Sequence, residues 1–167
     1  MAIKQVQIQG FLKDVSDNFA AVGDSSAVGL SNQRVARFLF DTAGKDSSGV
    51  NNTTIAAHGT GVILPANAII TGGFFDVNTL FTSANANNGT IAIGVEGAAD
   101  IQAAAAVSGA PYSSINRKAI VPKENTPEST AVKTTVAREI TLTVAVSALL
   151  TGKLTGYLFF VEGIASA

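Results

Sequence analysis

The 167-residue chain has no cysteine and no tryptophan, a single methionine at position 1 and a single histidine, His58. Without cysteine there is no disulfide scaffold, no thiol nucleophile and no zinc site of the cysteine type. With one histidine, a transition-metal site would have to rest on carboxylates. Charge is sparse: Asp, Glu, Lys and Arg make up 14% of the residues, against about 25% in an average soluble domain. The formal net charge of −1 argues against nucleic acid as a partner, because phosphate binding draws on clustered Lys and Arg. No run approaches the roughly 18 apolar residues of a membrane helix. The opening stretch, MAIKQVQIQGF, alternates in polarity and lacks the apolar centre of a secretory signal. A soluble protein made in a reducing cytoplasm is therefore expected, with no membrane partner. In that setting the Asn-x-Thr sequons at Asn51, Asn52 and Asn88 are chance matches.

What is present is neutral and small or apolar. Hydrophobic residues are 47% of the chain, with 16 glycines and 9 phenylalanines, and the length suits one domain. Between Asp46 and Glu96 the only formal charge is Asp76, and between Glu139 and Glu162 it is Lys153. A monomer normally spreads charge over its exposed face. Two readings of these tracts stay open together: a surface meant to touch other protein, or buried strands joined by neutral loops.

Apolar alternation marks the elements. Ala2 to Phe11 has strand character, and the stretch from Lys13 to Gln33 then loses any period, so residues 1–33 read as an extended N-terminal arm. Within it, Phe11, Phe19, Val22 and Leu30 are the candidate assembly contacts. Residues 34–167 read as the folded domain. Val35 to Asp41 predicts a strand with Ala36, Phe38 and Phe40 on one face. Residues 44–52 form a loop, and Ile55 to His58 and Gly61 to Leu64 are short apolar runs before the turn at Pro65. Ala68 to Thr82 is strand-like on both sides of Gly72-Gly73, a pair that predicts a bulge re-aiming Phe74 and Phe75. Residues 83–89 read as a hairpin loop ending in Asn-Gly, followed by a strand with Ile91, Ile93 and Val95 inward. Asp100 to Ser108 reads as a short helix on its alanine run. Residues 109–129 form a proline-bearing excursion with a brief strand near Ala119 to Val121. Glu139 to Ala148 alternates with Ile140, Leu142, Val144 and Val146 inward, and Leu154 to Val161 returns to make a hairpin at the centre of the core.

About eight short strands with almost no helix predict an all-β fold, and long excursions between strands favour a jelly-roll-like antiparallel β-sandwich over a meander. No fixed-period repeat supports a propeller or solenoid.

The search for chemistry yields little. His58 lies in AAHGTG without an adjacent serine and reads as structural rather than as a triad base. Asp14 with Asp17, and Asp41 with Asp46, miss the alternating-oxygen pattern of a calcium loop. Gly44-Lys45 and Gly152-Lys153 lack the earlier glycine of a P-loop, and Val62 to Leu64 after Gly59-Thr60-Gly61 breaks the dinucleotide fingerprint. Asp76, Glu96 and Glu139 are carboxylates available for glycoside hydrolysis, but nothing pairs them, and Glu96 reads as a solvated strand end. Tyr112 sits in a proline loop and Tyr157 in a strand, so the aromatic set, mostly Phe, fits packing better than a sugar platform. Arg117, Lys118 and Lys123, diluted by Glu124 and Glu128, read as a solvated loop. No enzyme, no cofactor and no metal are expected.

Two spans carry a resemblance. His58 to Gly97 joins a Gly-x-x-Leu-Pro-x-x-Ala lead-in to a strand ending Phe-Thr-Ser, and Thr135 to Gly163 joins an alternating strand, a Thr-Gly-Lys turn and an aromatic strand. Together they resemble the small β-sandwich virion proteins of tailed bacteriophages, in particular capsid decoration (cement) proteins, over the last two-thirds of the chain. The resemblance implies a jelly-roll-like fold, a homotrimer, the major capsid protein as partner and a place on the outer capsid surface after assembly in the host cytoplasm. It supplies no catalytic residue. The alternatives from other classes are a tail or fibre component binding a receptor or carbohydrate, and a cellular carbohydrate-binding sandwich.

Overall fold

The structure, a computed structural model, describes residues 33–122 and 131–162. The expected strand at Ala2 to Phe11, the arm residues Phe11, Phe19, Val22 and Leu30, and Lys123, Glu124 and Glu128 lie outside the described residues. Eight strands are found among the described residues: β1 (Gln33–Asp41), β2 (Ala57–Leu64), β3 (Ala68–Ser83), β4 (Thr90–Gly94), β5 (Gln102–Ala106), β6 (Arg117–Ile120), β7 (Arg138–Ala145) and β8 (Leu149–Glu162). They form two four-stranded sheets, ordered β1-β8-β3-β6 and β2-β7-β4-β5, and every pairing is antiparallel. Only β4 and β5 are consecutive neighbours; each of the other connections crosses from one sheet to the other. This is the eight-stranded jelly-roll arrangement of two interleaved Greek keys.

The inner faces follow from alternation. On β1, Ala36, Phe38 and Phe40 are buried, as their spacing predicts. On β3 the buried parity changes along the strand: Ala68 and Ile70 point inward before the glycine pair, Phe75, Val77 and Phe81 after it. The register against β8 slips between Ile70 and Gly72, so one extra residue flips the following side chains to the other face. Gly72, at φ 155°, is the residue that permits it. The two runs Ile55 to His58 and Gly61 to Leu64 contribute to one strand, β2, interrupted by a bulge between Gly59 and Ile63.

Four expectations are corrected. Asp100 to Ser108 is not helical: Gln102–Ala106 pairs with β4 as an edge strand, with Ile101 and Val107 fully buried at its ends. A run this short lies well below the roughly 12–15 residues that hold an isolated helix, so sheet pairing prevails over alanine's preference. The carboxylate of Asp100 instead organises the β4–β5 loop, accepting the N–H groups of Val95, Glu96 and Gly97 at 2.8–3.0 Å. Second, residues 83–89 do not close a hairpin. They carry the chain between the sheets through Asn85, Ala86 and Asn87, all at positive φ. Third, β7 and β8 belong to different sheets, each second in its order, so the segment between them is a crossing. Fourth, Val146 does not join Ile140, Leu142 and Val144 in the core. It is 64% exposed, at φ 68°, in a three-residue turn closed by Ser147 N–H on the Ala145 carbonyl at 2.8 Å. Ser147 is buried, and its hydroxyl donates to the Ala84 carbonyl. Anchoring Ser147 leaves the preceding valine pointing outward.

Tyr112, on the loop between β5 and β6, fills the middle of the core. Its ring stacks on Phe75 and meets Phe81 edge-on, both at 5.7 Å. Burial pushes its phenol pKa up, and the hydroxyl has no protein hydrogen-bond partner among the described residues.

Candidate assembly surface

The polar residues with chemical potential are taken up by structure. His58 is fully buried against Phe40. Its Nδ1 faces Asp46 at 3.1 Å and its Nε2 donates to the Thr54 carbonyl at 2.9 Å. The other oxygen of Asp46 accepts the N–H groups of Ser48 and Val50. The pair thus clamps the β1–β2 loop, and the Val50 N–H bond, with His58 adding to it, holds the Asp46 carboxyl below its usual range. Glu96 is not a solvated strand end. It accepts both Nε and Nη2 of Arg138 and the hydroxyl and N–H of Thr135, which lowers its pKa to about 2, the Arg138 bonds contributing most. This cluster ties the β4–β5 loop to the segment entering β7. Glu139 accepts the Gly61 N–H, and Asp76 is held by Arg117, so these three carboxylates serve separate contacts. Among the described residues no three His, Asp or Glu side chains converge as metal ligands. A shallow hollow of about 430 Å³ beside Asp41, Thr79, Leu150 and Lys153 offers only paired groups: Lys153 bridges to Asp41 at 3.0 Å, and the Thr42 hydroxyl donates to the Gly152 carbonyl.

The outer sheet faces differ from one another. On β2-β7-β4 the cross-strand rows are Ala57–Thr143–Ala92 and Gly59–Thr141–Gly94; Ala92 and Gly94 are buried, and Glu139 shares this face of β7. The neutral tracts therefore supply buried strands, with exposed neutral residues such as Asn78, Thr79 and Leu80 on β3.

On β1-β8-β3-β6 the outward parity brings aromatic rings together. The register aligns Arg37, Tyr157, Phe74 and Ala119 in one row, with Leu39, Thr155, Asp76 and Arg117 in the next. Phe74 stacks on Tyr157 at 4.7 Å and meets Phe159 edge-on at 5.8 Å. The Arg117 guanidinium lies 4.5 Å over the Phe74 ring, a cation–π contact. Asp76 fixes Arg117 there through two bonds of 2.9 Å, and this pairing lowers the Asp76 pKa and raises that of Arg117. Tyr157 of β8 and Arg117 of β6, the strands on either side of β3, both lie against the Phe74 ring. Val35 and Leu39, 58% and 46% exposed, continue the apolar surface toward the β1 edge. Arg117 is therefore part of this face and not of a solvated loop. The cluster was missed in sequence because Phe74 stands far from Tyr157 and Phe159 along the chain. The available signal was that Tyr157 and Phe159 alternate out of phase with Leu154, Leu158 and Phe160.

Solved structures share this fold. A chain of the capsid asymmetric unit of cyanophage Pam1 matches with a TM-score of 0.56 at 16% identity, over 81% of this chain and 89% of that one. A chain of the acidic stable capsid structure of Helicobacter pylori bacteriophage KHP30 matches with a TM-score of 0.52 at 12% identity, over 81% and 92%. No protein-family model and no curated protein sequence matches the chain. At these identities the likeness establishes the fold, a jelly-roll sandwich that also occurs in phage capsid structures.

Proposed function

We propose that the protein is a structural component of a tailed-phage head, a decoration (cement) protein that binds the outside of the shell and stabilises it by bridging capsid subunits. The observation that carries this reading is the fold shared with chains of two phage capsid structures over about four-fifths of the chain. The internal pairing of its ionisable groups supports a binding role over a catalytic one. In this reading the partners are the major capsid protein and further copies of the chain in a homotrimer. Residues 1–33, with Phe11, Phe19, Val22 and Leu30, act as an arm reaching onto the shell or a neighbour.

The physics is mass action. A protein that binds the assembled shell and not its separated subunits stabilises the shell by about 2.7 kcal/mol per site when present at about 100 times its Kd. A trimer engaging several subunits multiplies modest contacts through effective concentration. The test is copy number in purified virions by quantitative mass spectrometry. Hundreds of copies per particle are expected; a dozen or fewer would place the protein in a tail or fibre and refute the decoration role.

A further inference from the structure

We propose that His58 and Asp46 form a pH-sensitive latch: a buried imidazolium–carboxylate pair that holds the β1–β2 loop while both ring nitrogens are protonated, and releases it when Nδ1 loses its proton. Hydrogen-bond chemistry dictates the protonation state. Nε2 lies 2.9 Å from the Thr54 carbonyl oxygen, an atom that only accepts, so Nε2 carries a proton. Nδ1 lies 3.1 Å from Oδ2 of Asp46. A neutral ring protonated at Nε2 would set its Nδ1 lone pair against that oxygen, so a second proton lies between the two atoms. Asp46 does not hold it. Its Oδ1 accepts the N–H groups of Ser48 and Val50, both at 2.9 Å, and such bonds favour the ionised carboxylate. Nδ1 is therefore the donor, and the ring is an imidazolium.

Burial makes that proton matter. The side chains of His58 and Asp46 are 0% and 3% exposed, so water is not at hand to replace a lost bond. Phe40 packs on the ring from β1, and the β7 residue across from it is Leu142. Among the described residues Asp46 is the ionisable group that faces the ring. Asp41 of β1 is bridged to Lys153, Lys45 is exposed in the loop, and Glu139 of β7 accepts the Gly61 N–H. Loss of the Nδ1 proton leaves a buried carboxylate facing a lone pair, with no other donor to satisfy it.

The loop is the part that responds. Asp46 turns one oxygen to His58 and gathers Ser48 and Val50 with the other, so a carboxylate that swings away from a neutral ring carries those two amides with it. Val50 and Ile55, 43% and 58% exposed, ride on this loop, and the surface they present changes when it opens. The sign of the pH dependence follows from proton counting. An unfolded histidine releases its second proton near about pH 6.5. A folded state that keeps the proton beyond that point binds more protons than the unfolded chain. Stability from the latch is therefore complete below about pH 6.5 and declines as the pH rises above it.

His58 is the only histidine in the chain, so ring-nitrogen NMR signals of the full-length protein, made with isotope-labelled histidine, report on it without assignment. The experiment follows them from about pH 5.5 to 9 in wild type and in Asp46→Asn, together with hydrogen-exchange protection of the Ser48 and Val50 amides and urea unfolding. Asparagine keeps an oxygen for those two amides and offers its own N–H to a neutral Nδ1, so the variant closes the latch without the second proton. In wild type both nitrogens stay protonated past neutral pH, and protection of the two amides falls as Nδ1 deprotonates. The wild-type folding constant, relative to that of Asp46→Asn, drops by up to about tenfold per pH unit above about pH 6.5. An unprotonated Nδ1 in wild type at neutral pH overturns the proposal. So does loop protection that is unchanged when the proton leaves, or one common pH slope of stability for both proteins. If Asp46→Asn does not fold, the wild-type titration and exchange decide the matter by themselves.

Discussion

Replacing Gly156 by alanine tests the packing argument most directly, because two physical effects predict opposite signs. Alanine in a strand interior is ordinarily favoured over glycine by about 0.5–1 kcal/mol, so backbone preference alone predicts a more stable protein. The structure predicts the reverse. Gly156 faces inward on β8, and the register places Phe38 of β1 on one side of it and Phe75 of β3 on the other. A Cβ at this position would lie 2.0 Å from Cζ and 2.3 Å from Cε1 of Phe38. Phe38 is 1% exposed, so its ring has no solvent to swing into. Overpacking of this kind costs about 1–3 kcal/mol, which at about 2–4 °C per kcal/mol lowers Tm by roughly 2–12 °C. The assay is urea unfolding followed by circular dichroism, with a double-mutant cycle adding Phe38→Leu, whose shorter side chain clears the space. The double variant is expected to be more stable than the summed single losses by about 1–2 kcal/mol, within the range for residues in contact. An alanine variant as stable as wild type, or strict additivity with Phe38→Leu, would refute the reasoning.

The other expectations follow from polar contacts and backbone strain. Glu96→Gln lowers stability at neutral pH. Because folding depresses the Glu96 pKa from 4.5 to about 2, the wild-type advantage is complete above about pH 4.5 and disappears as the pH falls toward 2; a gap that stays constant through that window in unfolding titrations counts against the Arg138–Thr135 cluster. Tyr112→Phe removes a buried hydroxyl without a protein partner among the described residues and is expected to leave the unfolding free energy measured in urea unchanged or raise it by up to about 1 kcal/mol; a clear loss shows that the hydroxyl is bonded. Val146→Gly relieves a β-branched residue at φ 68° with its side chain in solvent and is expected to stabilise by about 1 kcal/mol; a destabilised variant shows that the turn is unstrained.

Individual strands were legible in the sequence because alternation is a local property of extended backbone. Ala36, Phe38 and Phe40, then Ile91, Ile93 and Val95, then Ile140, Leu142 and Val144 all point inward as their spacing requires. The glycine pair at Gly72-Gly73 announced the bulge for the same reason, and strand number with long excursions sufficed for the jelly-roll class. The structural place of His58 was also legible, although its partners Asp46 and Thr54 were not.

Partner choice was not legible, because it is settled by summed contacts between residues distant in the chain. Two strongly alternating segments joined by a short turn look like a hairpin, yet β7 and β8 pair within separate sheets. An alanine run reads as helix until a β4 edge offers it hydrogen bonds. The aromatic face exists only through register: Phe74 meets Tyr157 because β3 and β8 are neighbours, and no window of sequence contains both. Period-two patterning thus dictated which side chains turn inward along each strand. Only the free energy of the assembled sandwich decided which strands lie side by side, and with that which outward side chains form a common surface.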